Sequence, residues 1–167
     1  DGNLYALDMV RDRFNLKQRA DTLFALHRKW KPNEVGYEKY GMMADVEFMY
    51  SEMERRNYRF QIHELGGPMP KNDRIKRLMP YFEQGKVWLP QVMMRTDYQG
   101  RTHDLVQAFI EEEYKAFPVG LHDDMLDSLA RMFDLYPNGL EFPQEYSDEP
   151  EYVPSYSAMD TGAWMGA

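Results

Sequence analysis

Two places in this sequence hold acidic side chains at positions where they could do chemistry. The first is Glu38, which closes the short apolar stretch Val35-Gly36-Tyr37-Glu38 and precedes Lys39-Tyr40-Gly41. In open α/β sheets functional groups gather at the C-terminal ends of strands. Taken alone, Glu38 reads first as an exposed surface acid. The second place is His122-Asp123-Asp124-Met125-Leu126-Asp127-Ser128. Spacing of i and i+3 puts Asp124 and Asp127 on one face of a helix. Carboxylates that close repel each other unless a cation lies between them, and a hard divalent ion takes oxygen ligands. The competing reading is capping, since Asp at a helix start accepts from free N–H groups and suits the helix dipole. Capping accounts for Asp123 and in part for Asp124. It leaves Asp127 unexplained beside the apolar Leu126, Leu129 and Ala130. His122 could carry a proton, bind a metal or cap the same helix.

Lys71, Arg74, Lys76 and Arg77 form a basic cluster that Arg55, Arg56 and Arg59 could extend. Cations one helical turn apart can follow a phosphate backbone, and they can equally be an ordinary solvated face. Trp88 and the tyrosines read as core or rim, and the 13 methionines as adaptable core filler. With no Gly-rich phosphate loop, the sequence shows no ATP site. It has no cysteine, which excludes thiolate metal sites and disulfides.

Turn signals and periodicity place the elements that must position these residues. Asp1-Gly2-Asn3 predicts a hairpin turn, with a strand over 4–10 after it. An amphipathic helix is expected over 16–30, ended by Pro32, then a strand over 35–38 and a helix over 42–57. A strand over 58–65 and a Gly-Pro loop over 66–70 follow. Asn72 is the expected cap of a helix over 73–84, which Gly85 ends, and 87–89 is a strand. A small hairpin over 93–101, a helix over 103–115, a loop over 117–120 and a last helix over 123–135 complete the body. Strands alternating with helices argue for an α/β fold.

The net charge of −8 is uneven: from Met132 onward there are seven acidic residues and no Lys or Arg. The body is therefore close to neutral and can still grip phosphates locally. The expected organisation is one domain over 1–136 and an acidic tail over 137–167, whose Tyr, Pro, Ser and Gly content predicts disorder. No apolar run reaches the roughly 20 residues of a membrane span, and no signal-peptide pattern opens the sequence.

Several stretches, in this order, resemble the nuclease domain of phage terminase large subunits. They are Leu4-Tyr5-Ala6-Leu7-Asp8 with Arg11-Asp12-Arg13, Val35-Gly36-Tyr37-Glu38 with Gly41, and Lys71-Asn72-Asp73-Arg74-Ile75. Then come Gly85-Lys86-Val87-Trp88-Leu89-Pro90 and Phe117-Pro118-Val119-Gly120, followed by the His122-Asp123-Asp124 block. The resemblance spans about residues 3–135, and its last block is the most specific part. It implies an RNase H-like fold, a mixed sheet flanked by helices, and an endonuclease that cuts concatemeric viral DNA with two Mg²⁺ or Mn²⁺ ions. Glu38 and Asp124 would be ligands, with Asp127 or Asp123 assisting and His122 beside them. Lys71, Arg74, Lys76 and Arg77 would lie near the DNA. Implied partners are double-stranded DNA, a terminase small subunit and a portal protein, in the host-cell cytoplasm. The family's first metal-binding Asp lies on a strand ahead of the Asp1-Gly2-Asn3 turn. The expectation is thus an N-terminally truncated fold with weak or no cleavage, since Asp8 on the next strand is a poor substitute. The alternatives are another RNase H-like nuclease, or a non-catalytic module that binds DNA or docks on the portal.

Overall fold

The computed structural model describes residues 2–39 and 44–136. Asp1, Tyr40, Gly41 and the acidic tail lie outside the described residues, and with them the expectations that fall there.

The chain is mixed α/β. Its strands are short: β1 (Leu4–Tyr5), β2 (Gly36–Glu38), β3 (His63–Leu65), β4 (Val87–Trp88), β5 (Met94–Thr96) and β6 (Thr102–Asp104). They alternate with α1 (Leu16–Trp30), α2 (Ala44–Arg56), α3 (Lys71–Lys76), α4 (Met79–Glu83), α5 (Leu105–Ala108), a π-helical segment (Phe109–Tyr114), α6 (Asp124–Ala130) and α7 (Met132–Leu135). Among the described residues the strands pair two by two rather than in one mixed sheet. β1 runs parallel to β4, β2 runs parallel to β3, and β5 and β6 form an antiparallel hairpin. The segment β2–α2–β3 is a βαβ unit, in which a helix carries the chain back to start a parallel neighbour.

Helix α1 covers the span its periodicity predicts. Asn15 and Gln18 form a reciprocal capping box at its start, and Lys31 ends it in the left-handed region at φ 46°. Three other expected helices are broken, each for a physical reason. The one over 73–84 splits into α3 and α4, because Pro80 in the first turn of α4 has no N–H to continue the ladder. It also starts earlier: Pro70, not Asn72, is the residue before the helix, and Asn72 lies inside the first turn. The helix over 103–115 begins at Leu105, because the Asp104 side chain accepts from Val106 N and from Met93 N at the end of the hairpin. Farther on it widens into π geometry, with Lys115 N donating to Ile110 O. The last helix tightens at Arg131, where Asp134 N reaches back only three residues. The expected strands over 4–10 and 58–65 make ladder pairs only at Leu4–Tyr5 and His63–Leu65, and the rest of each span belongs to no helix or strand.

Two apolar cores form. One gathers Ala20, Phe24, Val35, Met49, Met53 and Ile62 between α1, α2 and the β2–β3 pair. The other gathers Leu4, Ile75, Leu78, Phe109, Leu126 and Ala130 around α3, the π-helical segment and α6. Among the described residues no helix is long and apolar enough to cross a membrane.

Candidate active site

An open cleft of about 380 Å³ lies where β2, α6 and α7 meet, with Glu38, Asp124, Asp127, Ser128 and Arg131 on its walls. The parallel register pairs Glu38 with Leu65 and so ends β2 at the cleft. Gly36 sets how closely the wall can pack. A Cβ there would lie 2.5 Å from Leu65 Cδ1 and 3.0 Å from Leu135 Cδ1, so any side chain would push the cleft's apolar floor apart.

Helix α6 supplies the other carboxylates. Leu126 and Ala130 bury one of its faces in the core. Asp124 and Asp127 then fall one turn apart on the cleft side, as their i, i+3 spacing predicts. What caps this helix differs from the sequence expectation. Asp123 makes no side-chain cap bond. Its place is taken by Glu113 of the π-helical segment, whose Oε2 accepts from Met125 N (2.8 Å) and Leu126 N (3.0 Å). Glu113 is fully buried, its Oε1 has no hydrogen-bond partner, and Arg11 Nη1 lies 3.7 Å away. Burial pushes its pKa up, against the pull of those backbone N–H groups and of Arg11.

The carboxylates share three cations, Arg74, Arg131 and Lys71. Arg74 grips Asp127 as a fork, Nε to Oδ1 at 2.6 Å and Nη2 to Oδ2 at 2.7 Å, and both side chains are about 95% buried. The same Nη2 lies 3.8 Å from Glu38 Oε1. Arg131 donates to Glu38 Oε1 through Nε (3.0 Å) and Nη2, and to Asp134 through Nη1 (2.9 Å). Lys71 Nζ bridges Asp123 (2.6 Å) and Asp124 (2.8 Å). Burial pulls the Lys71 ammonium down, but its bonds to Asp123 and Asp124 outweigh that and leave its pKa raised. Lys71 in turn holds the Asp124 carboxyl below its usual range, against burial, with smaller help from Arg11 and His122.

The structure thus brings Glu38, Asp124 and Asp127 to one cleft and gives them unequal freedom. Both oxygens of Asp127 are committed to Arg74, so its geometry is that of a clasp between α3 and α6 rather than of an open ligand. The ion pairs of Glu38 all fall on Oε1, and the Lys71 bond of Asp124 falls on Oδ1. Asp123 joins Asp124 only through Lys71, and His122 is exposed. The basic cluster, read as either a solvated face or a phosphate clamp, is divided between the cleft and the outer face. Lys71 and Arg74 face the acids of the cleft, Arg77 donates to Asp134 (2.8 Å), and only Lys76, paired with its neighbour Asp73, stays on the outer face. Arg131 and Glu113 are the site residues that the sequence reading missed. Arg131 follows Asp127 by four residues on one helical face, and Glu113 follows Phe109 by four into the core; both spacings were visible.

The donor chemistry suits a hard divalent ion, since the cleft offers carboxylate oxygen. Among the described residues, however, no group of three or more His, Asp or Glu side chains converges as a metal cage. Glu38 and Asp124, whose second carboxylate oxygens carry no protein cation, are two acids and by themselves fall short of such a cage. Comparisons with protein-family models, with curated proteins and with solved structures found no match for this chain.

Proposed function

We propose that this cleft is the metal-binding centre of a DNA endonuclease of the terminase large-subunit type, with an RNase H-like fold. The observation that carries the reading is the meeting, in one cleft, of an acid from a strand end, Glu38, with Asp124 from a helix 86 residues further along the sequence. Glu38 and Asp124 would hold Mg²⁺ or Mn²⁺. When bound, such ions supply Lewis acidity and neutralise charge on the phosphodiester under attack. The chain's own residues do the positioning. Lys71 keeps Asp124 ionised, Arg131 fixes the direction of Glu38, and the Arg74–Asp127 clasp locks α3 against α6. Double-stranded DNA is the substrate of this reading, and a small subunit and a portal protein are its assembly partners.

Titration with Mn²⁺, read by electron paramagnetic resonance, tests it, together with nicking of supercoiled plasmid by the chain and by a longer form carrying the strand expected ahead of Asp1. Glu38→Gln and Asp124→Asn should each weaken Mn²⁺ binding at least tenfold, about 1.4 kcal/mol. Nicking should need the metal and both acids. Mn²⁺ binding that both substitutions leave unchanged would sink the proposal. A second reading, a non-catalytic DNA-binding module, is favoured by one observation: each cleft acid already has a protein cation as partner. It predicts duplex binding with no metal binding and no nicking by either form.

A further inference from the structure

Lys71 and Arg74 of α3 are engaged with the acids of the cleft, and the end of α1 offers a second place with the chemistry to bind phosphate. Residues 22–33 contain Arg28, Lys29 and Lys31 and no acid at all. At the last turn of α1 a single buried carboxylate, Asp8, gathers three donors. Lys29 Nζ lies at 2.7 Å, Trp30 Nε1 at 3.0 Å, and Arg95 Nη2 reaches in from β5 across the chain. Arg95 Nε also donates to Met9 O at 3.3 Å, which fixes the plane of its guanidinium. The Asp8 side chain is 7% exposed, whereas those of Lys29 and Arg95 are 55% and 40% exposed. Two cations thus share one hidden counter-charge and keep their outer faces in water. The Lys29 ammonium lies 4.6 Å from the centre of the half-exposed Trp30 ring, so an indole edges the same patch.

A carboxylate that paired with one cation would leave a neutral surface. One carboxylate holding two leaves a fixed positive charge, with both side chains ordered before any ligand arrives. Pre-ordering lowers the entropic cost of binding an anion. We propose that Lys29 and Arg95, held side by side by Asp8, anchor a backbone phosphate of nucleic acid outside the cleft. The anchor reads no sequence, because phosphate contacts position a duplex without specifying bases. It rests on the reading of this chain as a DNA-binding nuclease, and adds to it the part of the surface that holds the substrate.

The experiment is fluorescence anisotropy with a labelled duplex and no divalent metal, over a salt range of roughly 50–200 mM. Lys29→Gln leaves Arg95 and Trp30 on Asp8, so the carboxylate stays paired. It should weaken binding equally for duplexes of different sequence and lower the slope of log affinity against log salt by about 1. Lys17→Gln, on the same helix, should change neither. Arg95→Gln, which leaves Lys29 and Trp30 on Asp8, should show the same loss of affinity and of salt slope. A Lys29→Gln chain with the parent's affinity and salt slope overturns the anchor, as does a parent chain that binds no duplex. The Mn²⁺ titration reads the nuclease proposal separately. A chain that binds metal but is indifferent to Lys29→Gln retains its cleft and loses the anchor; one that shows the Lys29 effect but binds no metal does the reverse.

Discussion

The two cores use charge in opposite ways. Around α1 and α2 the interior is apolar and aromatic. Phe24 sits 5.2 Å from Phe60 and 6.2 Å from Tyr58, ring centre to ring centre, and the guanidinium of Arg56 covers it at 4.5 Å. The ion pairs there, Glu52 with Arg55 and Arg56 and Asp21 with Lys17 and Arg56, run along α2, along α1 or between these two helices; Glu52 is buried, but both its partners lie on its own helix. Around α3 and α6 the charges are inside: Arg74 and Asp127 are buried together, and the cleft acids are held by neighbours more than fifty residues away in sequence. An ion pair laid over a finished core adds little. One that joins two elements in the interior decides how they sit, and losing one partner strands the other. The difference is what one expects if the first core supports and the second operates.

The sharpest way to break this comparison is at the clasp. Arg74→Ala leaves Asp127 buried without its partner and should cost about 3–5 kcal/mol in chemical denaturation. The double change Arg74→Met with Asp127→Leu should recover most of that. If the single variant melts like the parent, the interior pair is not what joins α3 to α6. A smaller loss is expected at the cap. Glu113→Ala strips the acceptor from Met125 N and Leu126 N and should cost about 2–3 kcal/mol, seen as faster amide exchange at the start of α6. Next comes Asp8. Burial would raise its pKa, but the bonds from Lys29, Trp30 and Arg95 win and hold it at about 2. Since the folded pKa lies below the unfolded one near 3.8, this stability is present above pH 4 and lost as pH falls toward 2. The loss should be on the order of 2 kcal/mol, and Asp8→Asn should remove that pH dependence. The smallest effect belongs to the first core's surface: Lys17→Ala, which leaves the exposed Asp21 paired with Arg56, should leave the melting midpoint unchanged within error.

How much of this was legible in the sequence follows the same division. α1 was read from its apolar stripe and terminating Pro32, which are local signals, and the capping box that the structure adds at Asn15 and Gln18 is local too. The carboxylates of the cleft were found through strand-end position and i, i+3 spacing, which are also local. The partners of those carboxylates were not. That Arg74 turns inward to Asp127, or that Glu113 and not Asp123 caps α6, depends on contacts across long stretches of chain. Charge in a sequence carries no sign of whether it will face water or another charge. The inward turn of Lys71 and Arg74 was not legible on that account.

The π-helical segment Phe109–Tyr114 has a consequence for insertions and deletions. A π turn is an α-helix with one residue to spare. Removing one residue between Phe109 and Glu113 would let the segment close as ordinary α-helix with Glu113 kept near its present direction. The same deletion inside a plain α-helix would swing everything beyond it by about 100° about the axis. At this place the chain has a residue it can lose and still cap α6.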